Sequence, residues 1–339
     1  ITIRCSVPGA HAVLDGENSR RGIFCHSGET AGTLIDGFKV IRGSSPWGGG
    51  AWFNSGSSPT LKHCIFEDNT ATTTHGGGIY CSNSSNPSLF NCTMRNNSAA
   101  QMGGGIDIRQ SSPALTGCVI EYNTAGSSGG GMYMEYSEGV TLVDCQISDN
   151  TSPSYGGGLC CTLYSTCNLT RCNIFNNDGE DGGGVCIDAS AGLVSTFTDC
   201  HIHDNAANDD GGGVVCYGSS PILESCSISG NTAADKGGGM YCSSSSSPTF
   251  AGMNVCGNGP EQVHGTYVDN GDNCITENCN ECLCSGDTDS DGDVDILDLL
   301  NVLDQYSTCT ENCSGDVDGD SDVDIEDVLL VIQGWGSCP

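Results

Sequence analysis

Three consecutive glycines followed by an apolar residue return eight times along this chain. They start at Gly48, Gly76, Gly103, Gly129, Gly156, Gly182, Gly211 and Gly237, at steps of 26 to 29 residues. A period of this length marks a repeat architecture. One copy cannot bury its own apolar side chains, but stacked copies bury them jointly and form a core that grows with each repeat. Glycine is abundant, at 50 residues, yet proline is only 10, so the chain is neither collagen-like nor low-complexity.

In register with the triplets, the same residue types recur in columns. The first position after each triplet is Ala51, Ile79, Ile106, Met132, Leu159, Val185, Val214 or Met240. The third is Phe53, Cys81, Ile108, Met134, Cys161, Ile187, Cys216 or Cys242. This alternation puts both on one face of a short strand. A Ser/Pro/Thr-rich turn follows, then one apolar residue, from Leu61 and Leu89 to Phe250. Three residues on stands a cysteine: Cys64, Cys92, Cys118, Cys145, Cys172, Cys200 and Cys226, with Met253 in the eighth copy. An apolar residue from Phe66 to Val255 comes next, and then an asparagine in every copy: Asn69, Asn97, Asn123, Asn150, Asn177, Asn205, Asn231 and Asn258.

Each copy therefore holds about three short strands separated by tight turns, and none of it has sustained helical periodicity. The fold that fits is a coil of parallel strands with like residues stacked at the inter-strand spacing, roughly 4.8 Å. The asparagines are expected to bond coil to coil and to tolerate a left-handed backbone. The glycines are expected to supply positive φ and close approach. Residues 1–47 carry two degenerate copies, in which Ile1, Ile3 and Cys5 alternate, as do Ile23 and Cys25. The cysteine column is read as stacked free thiols, because side chains on in-register parallel strands point the same way; strained disulfides or a metal column are the alternatives.

The period, the Cys-x-Ile strand before asparagine and the Gly-Gly-Gly-Ile strand resemble right-handed parallel β-helix repeats of the pectate-lyase-like type. The resemblance implies an all-β solenoid of about ten coils over residues 1–258. It leaves function open, since that family includes lyases, hydrolases, adhesins and surface structural proteins.

A Cys-rich cap or linker is expected over residues 259–285, with Cys274, Cys279, Cys282 and Cys284 forming disulfides rather than a zinc site. The 24 cysteines suggest an oxidising compartment. With no initiator Met and an apolar strand at the start, the chain reads as processed. The net charge of −32 argues against nucleic acid and anionic membrane as partners, and no apolar run is long enough to span a bilayer.

Residues 286–339 are a different kind of text. Asp287, Asp289, Asp291, Asp293, Asp295 and Asp298 occupy positions 1, 3, 5, 7, 9 and 12 of a loop with Gly292 at position 6. Calcium takes six to eight oxygen ligands, which such alternate carboxylates supply. The spacing returns at Asp316, Asp318, Asp320, Asp322, Asp324 and Asp327, with Ser321 in place of the glycine. Each loop runs into an apolar helical segment, so two Ca2+ ions are expected. Asp at the last position and the 29-residue duplication resemble a type I dockerin module. The Gly-Trp-Gly-Ser-Cys-Pro ending is similar to dockerin-type tails on surface proteins of planctomycete-like bacteria. The resemblance implies a small α-helical calcium-binding domain that docks onto cohesin-like modules, with Asp293 and Asp322 acting through their backbone carbonyls. Cys309, Cys313 and Cys338 depart from ordinary dockerins and suggest disulfide staples.

Candidates for catalysis are thin. Glu180-Asp181 and Asp209-Asp210 precede neighbouring triplets and could share a face, and His201 and His203 alternate outward. No aromatic platform for sugars stands out, and the repeats lack the long loops that build a cleft. The expectation is a non-catalytic protein of a bacterial surface or extracellular space. Its partner would be a cohesin-like module or neighbouring copies of itself in a head-to-tail polymer through an unpaired strand edge, with a glycan as a further candidate ligand. The alternative is a secreted polysaccharide lyase or glycoside hydrolase of the β-helix type, anchored by its dockerin.

Overall fold

The columns fold into three long parallel sheets that wrap one core. The structure is a computed structural model that describes residues 1–7, 9–188, 192–279, 288, 293–294, 296–305, 315–317, 323–333 and 336–337. The first sheet holds ten strands, from Ile23–Cys25 to Val263–His264, and carries the residues that follow the glycine triplets. The second holds eleven, from Thr2–Arg4 to Val268–Asp269. The third holds eleven, from Ala12–Asp15 to Cys274–Thr276. Equivalent residues pair across coils in the register read from the sequence: Ile79 with Ile106 and Met132, Leu89 with Leu115, Met94 with Ile120.

A fourth, two-residue strand follows the asparagine in many coils, as in Thr70–Ala71, Ser98–Ala99 and Thr124–Ala125. Three strands per coil were expected; two residues are too few to leave an alternation in the sequence.

The inward columns form one continuous apolar core from Cys25 to Val255. The seven column cysteines are at most 2% exposed and all are free thiols. Their S–H groups turn to backbone carbonyls, those of Cys64, Cys118, Cys172 and Cys226 to the preceding coil (Cys64 to Ile35 O at 3.5 Å, Cys226 to Phe197 O at 3.4 Å) and those of Cys92, Cys145 and Cys200 to the residue two before in their own coil.

The asparagines build an uninterrupted buried ladder. Asn123 donates its backbone N–H and its side-chain Nδ2 to Asn150 Oδ1, at 3.0 and 2.9 Å, and Nδ2 also donates to Met94 O of the coil behind. The pattern repeats from Asn69 to Asn258. The left-handed residue at this corner is not the ladder asparagine, as expected, but the one before it: Asp68, Asn96, Tyr122, Asp149, Asn176 and Asp204 all have φ near +52 to +55°. A second ladder lies in the Ser/Pro/Thr-rich turn, where backbone N–H groups of Ser57 and Ser85 donate to Ser85 and Ser111 Oγ of the next coil, both at 3.1 Å. The glycine triplets divide their work. Gly76 turns the chain at φ +69°, while Gly77 has no room for a side chain: a Cβ there would lie 2.4 Å from Gly104 O.

The sheets continue past residue 258, since Val263–His264, Val268–Asp269 and Cys274–Thr276 pair onto the last clear repeat. Gln262 replaces the next ladder asparagine, its Oε1 accepting from Asn258 N and Nδ2 at 3.1 and 2.8 Å. Cys279 is disulfide-bonded to Cys256, and Cys274 is disulfide-bonded as well. Cys282, Cys284, Cys309, Cys313 and Cys338 lie outside the described residues.

In the tail, helices α1 (Ile296–Gln305) and α2 (Ile325–Gln333) share a small core of Val294, Val302, Val323, Val328 and Val331. No described helix is long and apolar enough to cross a membrane.

Asn150→Ala removes the one oxygen that accepts both the backbone N–H and Nδ2 of Asn123, and two donations, to Ile120 O and Asn177 Oδ1. Leaving buried amides unmade costs about 1–3 kcal/mol each, so the expected loss in urea unfolding is roughly 3–5 kcal/mol. The seven column thiols are expected to resist a thiol-labelling reagent in the native chain and to react once it is unfolded, as mass spectrometry would count.

Candidate functional site

Two places carry chemistry, the tail loops and the outer face of the first sheet. In the tail, Asp298 and Asp327 sit in the first turns of α1 and α2, where the helix dipole favours an anion. Both are at most 1% exposed. Asp298 Oδ1 accepts the N–H of Thr288 at 2.5 Å, and Asp327 Oδ1 accepts that of Val317 at 2.6 Å. Asp327 Oδ2 also accepts Asp324 N–H, and Asp324 Oδ1 accepts Glu326 N–H at 2.7 Å. Loop position 12 therefore bonds to the amide of position 2 in both copies. Asp316 is half-buried. Asp293 lies in the short strand Asp293–Val294, with its side chain outside the described atoms. Asp287, Asp289, Asp291, Asp295, Asp318, Asp320 and Asp322 lie outside the described residues. The donors that are described are hard carboxylate oxygens, two of them buried, and fit a hard divalent cation such as calcium.

The middle residue after each glycine triplet points away from the core. Along the first sheet this outer column reads Phe24, Trp52, Tyr80, Asp107, Tyr133, Cys160, Cys186, Val215 and Tyr241. Contrary to the sequence reading, it does hold an aromatic platform. Phe24 stacks on Trp52 at 5.0 Å and Trp52 on Tyr80 at 5.9 Å, with Trp47 tilted against Trp52 at 6.1 Å. Phe24, Trp52 and Tyr80 are 28 residues apart in sequence, one per coil, and only the sheet register lines them up.

Beyond Tyr80 the column becomes charged. Asp107 is fully buried, and its Oδ1 accepts Nε of Arg109 at 3.0 Å. Arg109 lies over the Tyr133 ring and is ion-paired to Glu135 of the next strand. Its Nη2 sits 3.1 Å from Met102 Sδ, and His75 Nδ1 stands 3.7 Å from Asp107 Oδ2, which has no hydrogen-bond partner. Burial pushes the Asp107 carboxyl up to about 7 against the pull of Arg109. Burial, with Arg109 nearby, lowers His75 to about 4, so its imidazole is neutral. Trp47, Trp52, Tyr80, Arg109, Glu135 and Tyr136 are among the walls of a cleft of about 400 Å³ here. Asp107 is shut off from solvent, so it positions Arg109 and reaches no ligand.

Further along the same face the acidic pairs meet as expected. Asp210 N–H donates to Asp181 Oδ1 at 3.1 Å, and carboxylate oxygens of Asp209, Asp210 and Asp235 lie within 4.8 Å of one another. His201 and His203 belong to the third sheet; His203 stacks on Phe175 and bonds Asp204 and Asn173. The fold therefore does not unite these histidines with the acidic pairs.

A family model described as the right handed beta helix region matches residues 17–127 and 78–255. No curated protein and no solved structure matches the chain.

The buried carboxyl gives a signed pH dependence. An unfolded aspartate ionises near 3.9, about 3 units below Asp107 in the fold. Between those values the native state keeps a proton that the unfolded chain has lost. The resulting stability is complete below about pH 4 and is lost as the pH rises through about 7. Asp107→Asn removes the ionisation. Its Tm relative to wild type is expected to climb by a few degrees between about pH 4 and about pH 8; a constant difference in thermal melts would show that Asp107 does not titrate in this range.

Proposed function

This chain belongs to the right-handed β-helix family, and from that premise we propose that it is a non-catalytic extracellular assembly protein: a β-helix rod carried on a calcium-folded, dockerin-like tail that docks onto a cohesin-like module. The observation that carries the reading is the duplicated tail. Asp298 and Asp327 make the same buried bond 29 residues apart, at the last position of each carboxylate loop.

The helices add a second duplication. Valine is buried on one side of each (Val302 on α1, Val328 and Val331 on α2), and an apolar stripe is left in solvent on another: Ile296, Leu300 and Leu303 on α1, Ile325, Leu329 and Ile332 on α2, all about half exposed. These pairs are again 29 apart. Apolar residues exposed at matched positions of two helices are what a docking module would present to a folded partner. Bound calcium would neutralise carboxylates that otherwise repel one another and so let each loop close over its helix. The disulfides at Cys256, Cys274 and Cys279 suit an oxidising, extracellular location. The alternative, a polysaccharide lyase or hydrolase, needs solvent-accessible reacting groups; at the cleft, Asp107 is closed off and Glu135 is tied to Arg109.

Calorimetric titration of the chelator-treated full chain is expected to find two calcium sites, with a gain of helical circular dichroism. Asp298→Asn and Asp327→Asn should each abolish one. Absence of both heat and helix gain would overturn the proposal. Sedimentation in calcium then separates the partners: a chain that stays monomeric until a cohesin module is added supports docking on that module, whereas calcium-driven polymers would assign the tail to neighbouring copies.

A further inference from the structure

The outer face of the third sheet carries a metal site of a different kind from the tail. We infer that His201 and His203, with the amide oxygen of Asn173, bind one divalent cation of tetragonal preference, Cu2+ or Ni2+, at the surface of the rod.

Strand geometry supplies the first argument. In the strand His201–His203 the middle residue, Ile202, is fully buried, so both imidazoles leave by the opposite face. Their Cα atoms are two residues apart, roughly 6.6 Å, a span across which two ring nitrogens can turn to one ion. Asn173 pairs with His201 from the preceding coil, and its Oδ1 lies 3.0 Å from Nε2 of His203. Donors from two coils therefore edge one patch.

The protons supply the second. Nδ1 of His203 lies 2.8 Å from Asp204 Oδ2. A carboxylate only accepts, so Nδ1 carries the proton and Nε2 of the neutral ring keeps its lone pair. That lone pair faces the carbonyl oxygen of Asn173, which is itself an acceptor. A cation bound by both reconciles the contact. Two ligand atoms about 2.1 Å from a metal lie about 3.0 Å apart at a right angle and about 3.4 Å apart at the tetrahedral angle. The observed 3.0 Å matches the right angle, which Cu2+ and Ni2+ favour and Zn2+ does not.

The surroundings supply the third. His203 stacks on Phe175 with ring centroids 5.1 Å apart and planes 4° from parallel, so its ring is held before a metal arrives. Its bond to Asp204 has the arrangement by which a carboxylate orients a metal-binding imidazole. Arg171, on the preceding coil, is tied to Asp144 at 2.7 and 3.1 Å, and a chain of net charge −32 attracts cations. Imidazole nitrogens suit late transition metals and carboxylates suit calcium, so the two kinds of site do not compete for one ion.

The test is calorimetric titration of the full chain with Ni2+ in excess calcium, which occupies any site of carboxylates. Half-buried Cys5 is replaced throughout (Cys5→Ser), so that its thiol takes no metal. His201→Gln and His203→Gln are each expected to lose one equivalent of Ni2+ relative to this parent. Asp204→Asn, which acts through His203, should weaken that equivalent roughly 10–100-fold without removing it. His264→Gln, on the first sheet, should leave it unchanged. Cu2+ bound to the parent should give a tetragonal electron paramagnetic resonance spectrum with coupling to two imidazole nitrogens. His201 is the exposed one of the pair, so its variant keeps the test valid if His203→Gln disturbs the stack on Phe175. The inference is overturned by histidine variants that titrate as the parent does, by a copper spectrum without imidazole coupling, or by Zn2+ binding more tightly than Cu2+ and Ni2+. The contact of His203 with Asn173 would then be a hydrogen bond made by a protonated ring or a reversed amide. None of these results bears on calcium binding by the tail.

Discussion

The amide of one asparagine, repeated once per coil, is the interaction on which the rest of the molecule rests. Each ladder asparagine satisfies the backbone and side-chain donors of the asparagine behind it and returns its own Nδ2 to a strand carbonyl of that earlier coil. A buried polar corner without such partners would cost more than the apolar residues beside it gain. With them, the corner locks the register of the sheets, since a slip by one residue would break the bonds of every coil in contact with it. The serine ladder does the same at another corner, so the backbone is pinned at two places per coil.

Rigid register makes surface features out of single residues. Trp52, Tyr80, Asp107 and Tyr133 each belong to a different repeat, yet they lie along one line of the outer face because their strands pair residue for residue. The tail works differently. Its acidic residues are near neighbours in sequence, and its helices are held by a handful of valines.

The same contrast explains what could be read from the chain without its structure. The inward columns, the free thiols and the coil-to-coil amides follow from residues that recur at one period; each is reinforced seven or eight times, and the structure has them where the period puts them. The two-residue strands lack enough residues to alternate. The extra coil after Asn258 was hidden because Gln262 does the work of an asparagine from a different spacing. The aromatic ladder was hidden because its column mixes chemistries: the rings of Phe24, Trp52, Tyr80, Tyr133 and Tyr241 are interrupted by Asp107, Cys160, Cys186 and Val215. In a solenoid the core is written as repetition, and a surface site is written as departures from it.

Gln262 also bears on how such a chain can vary in length. Its Oε1 takes the last donors of the ladder, while its Nε2 turns back to Asn258 O at 3.1 Å. The series of amides thus closes on its own final residue and asks nothing of a further coil. Any number of repeats placed ahead of this ending leaves every amide partnered, so whole coils can be gained or lost through duplication or excision without exposing an unmet donor at the carboxyl end. The terminator and the repeat are separable parts, and the length of the rod is free to change while its chemistry of closure stays fixed.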